Sequence, residues 1–102
     1  MQIKDVFGEG ITLTEERIGH IITRHPEMKE HIKEISVVVN SPDLIKRSVY
    51  DKEVFLYHKY YPNIYGGCFI VVSIVKRQRE KFITTAYTSK YEKRGGLIWK
   101  KN

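Results

Sequence analysis

Arg17, His20, Arg24 and His25 crowd into the run Glu16-Arg17-Ile18-Gly19-His20-Ile21-Ile22-Thr23-Arg24-His25-Pro26-Glu27. On a helix, spacings of three and four residues put Arg17, His20 and Arg24 on one stripe. His25 falls in the apolar phase, at a corner before Pro26. Two histidines beside an arginine meet the needs of one reaction, cleavage of RNA by attack of its own 2′-hydroxyl on the adjacent phosphorus. That reaction takes a base for the hydroxyl proton, an acid for the leaving oxygen and a fixed cation for the phosphorane. Histidine has both protonation states at hand near its ordinary pKa of about 6.5. Arginine keeps its charge and can donate two bonds to two phosphate oxygens. Hydroxyls for the same site come from Thr84-Thr85-Ala86-Tyr87-Thr88. Each feature also has a plainer reading. A cationic stripe can be a solvated helix face, His25 a structural histidine bonded to a carbonyl, and the threonines ordinary strand residues.

Other chemistries lack their residues. His20 and His25 are five apart with no glutamate between them in a zinc-protease pattern, and Cys68 is a single cysteine without zinc-site companions. The expectation is no metal and no cofactor. Gly66-Gly67 and Gly95-Gly96 lack the spacing and following helix of a phosphate-binding loop. One cysteine also forms no internal disulfide, and Cys68 reads as a buried strand residue.

The elements that must position these groups divide into a helical and a strand-forming regime. Thr14 is a helix cap, with Glu15 and Glu16 at the positive end of the dipole. Leu13 and Ile18 match a hydrophobic staple, and Ile18, Ile21, Ile22 and His25 follow the helical period. Pro26 disfavours helical geometry at His25 and suits the start of a second helix. Met28, Ile32, Ile35 and Val39 carry that helix to the stop signals Asn40-Ser41-Pro42-Asp43. From there the period is two. Ile45–Tyr50 and Glu53–Tyr61 form a hairpin about Asp51-Lys52, Cys68–Lys76 is apolar on both faces and reads as the central strand, and Phe82–Thr88 is a fourth strand. Leu97, Ile98 and Trp99 dock back as a short strand, since exposing them so near a terminus is costly.

The chain of 102 residues is read as one domain, residues 1–102, of the α+β class: N-terminal helices packed on one face of a four-stranded antiparallel sheet. With 41% apolar and 12% aromatic residues it is globular rather than disordered. No apolar run reaches a membrane span of about 20 residues. MQIKDVFGEG lacks the charged start and apolar stretch of a secretion signal, so the expected location is cytoplasmic. A net charge of +6 favours anionic partners such as RNA. Phe55, Tyr57, Lys59 and Tyr61 share one strand face and could stack bases and hold a backbone if that face is open, with Val54, Leu56 and Tyr60 packed on the helices. Tyrosines that merely cover a half-exposed sheet are the plainer alternative. Lys76, Arg77, Arg79 and Lys81 form a charge run, which at a turn is usually just solvated, with a secondary role as phosphate guide. His31 and His58 receive no function.

The helix motif, the Arg-His-Pro-Glu corner, the Asn-Ser-Pro-Asp turn, the strand-rich middle and Ile83-Thr84-Thr85-Ala86-Tyr87-Thr88 occur in an order that resembles the phage-type nuclease domains of the barnase, EndoU, colicin and RelE superfamily. The likeness spans most of the chain. It implies a metal-independent endoribonuclease with helices on one face of an antiparallel sheet and RNA on the other face and its rim. By position it implies a catalytic set of His20, Arg24, His25, Thr85 and Tyr87, with Arg17, Tyr57, Lys59 and Lys76 as RNA-binding residues. It suggests a small toxin of phage or mobile-element origin, partnered by RNA and by a cognate antitoxin or immunity protein. Because a fold alone does not carry activity, the alternative is a non-catalytic module for RNA binding or toxin–antitoxin interaction. A basic structural domain is a third reading.

Overall fold

Local chemistry starts the first helix where the cap residue stands. The Thr14 hydroxyl accepts from the Arg17 N–H at 3.1 Å, and Glu15 and Glu16 fill the first turn. In the computed structural model, which describes residues 1–102, helix α1 runs Glu15–Arg24. Two short strands precede it, β1 (Gln2–Lys4) and β2 (Gly10–Thr12). A 3₁₀ turn Pro26–Glu30 and helix α2 (Ile32–Asn40) follow. The chain continues as β3 (Leu44–Ser48), β4 (Val54–Tyr61), β5 (Cys68–Lys76), β6 (Lys81–Ser89) and β7 (Gly95–Lys100).

The expected four-stranded antiparallel sheet is replaced by a seven-stranded mixed sheet in the order β1-β2-β6-β5-β4-β3-β7. Nor do helices begin the chain, since β1 and β2 come first. At three residues each, QIK and GIT are too short to display a period of two. β2 joins the sheet in parallel beside β6 through Thr12 and Phe82, a non-local pairing that no adjacent residues announce. At the far edge β7 does dock, antiparallel to β3 with a register shift beside Ile45, but of the apolar tail only Trp99 packs against the core, while Leu97 and Ile98 stay exposed. Gly95 permits that approach, because a Cβ there would collide with the Arg47 carbonyl. The single second helix expected from Pro26 is also corrected. His31 leaves helical geometry at φ −125° and ψ 16°, separating the 3₁₀ turn from α2.

The core lies between the helices and one sheet face. It holds Ile21, Met28, Ile35, Val38 and Val39 from the helical segment with Ile45, Tyr57, Ile70, Val72, Ile74, Ile83 and Ala86 from the strands. Tyr57 is fully buried in this core, and Tyr61 donates from the same face to Glu34 of α2 at 2.7 Å. The two faces of β4 are therefore the reverse of expectation: Phe55, Tyr57, Lys59 and Tyr61 face the helices. Leu56, His58 and Tyr60 face away. Alternation fixes which residues share a face and cannot say which face is covered.

One buried charge ties the N-terminal hairpin to the sheet. Asp5, only 3% exposed, accepts from the Phe7 and Glu9 amides through Oδ1. Its Oδ2 accepts from the Tyr57 hydroxyl at 2.6 Å and from Lys76 Nζ at 3.1 Å. Lys76 also donates to Glu9 at 2.8 Å and lies 5.0–5.4 Å from the ring centroids of Phe7, Phe55 and Tyr57. Burial and the Asp5 carboxylate push the Tyr57 phenol far above its usual range, so it remains a donor. Removing one partner of a buried pair strands the other. Asp5→Ala is expected to cost about 3 kcal/mol, and Tyr57→Phe, which leaves the carboxylate its other donors, about 1–2 kcal/mol. Urea unfolding measures both; an Asp5→Ala loss below that of Tyr57→Phe would refute the junction's role.

Candidate functional site

The end of α1 meets β6 in an open cleft of about 420 Å³, into which the helix brings Arg17, His20, Arg24 and His25 and the strand brings Thr84 and Thr85. The helical period explains the first set. Ile21 points to the core at 1% exposure, and Arg17 and Arg24, four residues before and three after it, flank it on the same side of the helix and with His20 line the rim of the α1–β6 seam. His25 follows the last helical residue in a non-helical conformation, φ −131° and ψ 76°, as the residue before a proline should. Its amide still donates to the Ile21 carbonyl at 2.7 Å, holding the corner to the helix while the ring swings toward β6.

There the ring meets Tyr87. The His25 and Tyr87 ring centroids are 5.4 Å apart, with their planes tilted by 35°. Glu27 lies on the other side, its Oε2 4.0 Å from His25 Nδ1 and accepting from both the Thr88 amide and hydroxyl at 3.2 and 3.3 Å. A carboxylate clamped by β6 thus sits beside the imidazole. Burial pushes the Tyr87 phenol up, which leaves it a protonated donor at neutral pH. Thr84 is tied back to the sheet, donating to the Ser73 carbonyl and hydroxyl. Thr85 has no such tie among the side-chain hydrogen bonds and lines the cleft.

The catalytic set expected from sequence is therefore brought together: His20, Arg24, His25 and Thr85 line one cleft, and Tyr87 contacts His25. Arg17 lines the same cleft. The expected RNA-binding side chains on β4 and β5 are corrected. Tyr57 is buried in the core, and Lys59 donates to the Ser41 carbonyl at 2.9 Å, where it caps the C-terminal end of α2. Lys76 is taken up by Asp5 and Glu9. None of the three offers a free face to a nucleic acid. Glu27 stands in the motif beside His25, but its tie to Thr88 depends on a residue far along the chain and has no sequence signal.

The outward sheet face adds a second cleft, of about 570 Å³, that shares Thr85 and contains Tyr87. Its walls are Ser48–Tyr50 and the loop Tyr91–Arg94, with Leu56 and Ser73 between them. Tyr50 and Tyr91 are 95% and 72% exposed. Lys93 Nζ lies 5.6 Å from the centre of the Tyr87 ring. The loop is pinned by His58, fully buried, which donates from Nδ1 to the Leu56 carbonyl at 2.9 Å and accepts the Lys93 amide at Nε2 at 3.0 Å. Only a neutral ring protonated on Nδ1 satisfies both contacts.

No group of three His, Cys, Asp or Glu side chains converges as a metal would need, and no helix is long and apolar enough to cross a membrane. No protein-family model, curated protein or solved structure matches the chain.

Burial lowers the His58 pKa, with Lys46 and Lys93 acting in the same direction against the Leu56 carbonyl and Glu92. The unfolded chain therefore takes up this proton first as pH falls through about 6.5. The His58 contribution to stability is full above that value and falls progressively until the lower folded-state pKa is reached. Comparing denaturant midpoints at pH 7.5 and 5.5, His58→Gln is expected to lose less stability on acidification than the wild type. An equal loss in both would remove the pin as a source of acid sensitivity.

Proposed function

We propose that this chain is a metal-independent endoribonuclease that cleaves RNA through its own 2′-hydroxyl. The observation that carries the reading is the convergence of His20, Arg24, His25 and Thr85 on one cleft, with Tyr87 against the His25 ring. The two histidines are the base and acid: one takes the 2′-hydroxyl proton as the oxygen attacks phosphorus, the other gives a proton to the departing 5′-oxygen. The P–O5′ bond breaks as the P–O2′ bond forms, giving a 2′,3′-cyclic phosphate and a free 5′-hydroxyl. Arg24 supports the charge that grows on the non-bridging oxygens. Thr85 and the protonated Tyr87 supply further donors to the same oxygens.

Positioning follows from the surroundings of the corner. The Glu27 carboxylate, held by Thr88, stands 4.0 Å from His25 Nδ1 at the edge of the site. RNA crosses the outward sheet face, where Tyr50 and Tyr91 offer rings for stacking and Lys93 a cation. This is the opposite face of β4 from the one its tyrosines suggest in the sequence. The likeness to phage-type nucleases supports the same reading, and with it the role of a toxin held in check by an antitoxin or immunity protein.

In excess EDTA the wild type is expected to cut a fluorescent RNA oligomer and leave cyclic phosphate ends. His25→Ala should reduce the rate at least about 100-fold, the scale of a lost acid or base, and Arg24→Ala by a similar factor. Tyr87→Phe keeps the ring contact and should cost less. A folded wild type that binds the oligomer in a salt-dependent way without turnover would sink the enzyme and leave the binding module.

A further inference from the structure

The ribonuclease reading leaves unused a cleft of about 670 Å³ where β2 meets β6 beside the start of α1 and the turn between β5 and β6. Thr14, Arg17, Arg79, Lys81 and Phe82 line it, and Glu80 is its one carboxylate. The cations there are not equivalent. Lys81 is paired with Glu9 at 2.7 Å, whereas Arg17 and Arg79 form no ion pair in the fold. Two guanidinium forks left free in one polar cleft suit an anion with several oxygens.

Arg17 lines both this cleft and the one that holds His25. Along α1, Arg17 and Arg24 are separated by about 10 Å of helix axis, at 1.5 Å per residue. A single phosphate cannot occupy both ends of such a stripe; a chain of phosphates can. We propose that the β2–β6 cleft is a second phosphate subsite, which holds the backbone of the RNA strand beyond the scissile bond, with Arg17 between the two clefts and Arg79 at the outer end. The identity of the ligand rests on the ribonuclease reading.

The test uses 2′-O-methyl oligonucleotides, which cannot be cleaved by 2′-hydroxyl attack, one a dinucleotide and one an octanucleotide. Binding is followed by fluorescence anisotropy over roughly 50 to 200 mM salt for the wild type and Arg79→Gln. The octanucleotide is expected to bind Arg79→Gln several-fold more weakly than wild type, with a log–log salt slope shallower by about 0.7, one single-strand phosphate contact. Dinucleotide binding should be the same in both proteins. Octanucleotide binding and slope unchanged by Arg79→Gln would overturn the subsite, as would an equal loss for the dinucleotide. If the octanucleotide shows the Arg79-dependent slope but the matching natural RNA is never cut, the subsite stands and the ribonuclease reading falls. Failure of the wild type to bind either oligomer overturns both.

Discussion

A buried carboxylate must be satisfied or it unfolds the region that buries it, and Asp5 is satisfied by groups drawn from three parts of the chain. Its own turn supplies two amides, β4 supplies the Tyr57 hydroxyl and β5 supplies Lys76. Glu9, four residues on, binds Lys76 and also Lys81 at the start of β6, and those two hydrogen bonds hold its pKa below the usual carboxylate value. The short β1–β2 hairpin could not hold itself against the sheet through three-residue strands. These ionic contacts fix it there. Because Thr14 follows β2 by two residues, fixing β2 beside β6 also fixes where α1 begins and which strand it lies along.

The corner at His25 follows from that placement and from Pro26. A helix that continued past Arg24 would carry His25 into the apolar phase and bury it. The proline stops it, and the 3₁₀ turn that follows brings Glu27 to Thr88 on β6. His25 is then half-buried against Tyr87, with its edge toward the cleft and its amide still bonded to the helix. The position of the ring is thus set by backbone geometry and by its packing on Tyr87, with a strand-held carboxylate 4.0 Å away. Little of that precision depends on loops.

Local signals in the sequence account for the parts that local forces build. Thr14 with Glu15 and Glu16 marks the helix start because capping involves only neighbouring residues. The hairpin about Asp51 and the mostly apolar Cys68–Lys76 are equally self-contained, and the docking of β7 agrees with the cost of exposing Trp99, although Leu97 and Ile98 stay exposed on it. What the sequence conceals is tertiary. The β2–β6 pairing spans most of the chain, and Lys76 reads as part of a solvated charge run although its charge is answered by Asp5, some seventy positions earlier. On β4 both alternating sets are aromatic or aliphatic with one basic residue each, Lys59 and His58, so composition gives no basis for choosing the inner face. The helix stripe of Arg17, His20 and Arg24 escapes this ambiguity because its phase is read relative to the apolar Ile18, Ile21 and Ile22.

The distribution of charge partners separates supporting cations from those left for a ligand. Lys46, Lys59, Lys76, Lys81 and Lys101 are each matched by a carboxylate of this chain, and Arg77 by Glu53. Arg17 and Arg24, by contrast, stand together on one helix seam without an internal counter-charge. They lie about 10 Å apart along the helix axis, so at ordinary ionic strength their mutual repulsion is largely screened. Neither arginine is ion-paired, and together they keep a positive field along the α1–β6 seam. Such a field is strongest where low-dielectric protein walls a cleft, and it favours anionic over cationic ligands there. Under the function proposed above, these unpaired guanidinium groups are the ones left to meet the RNA backbone.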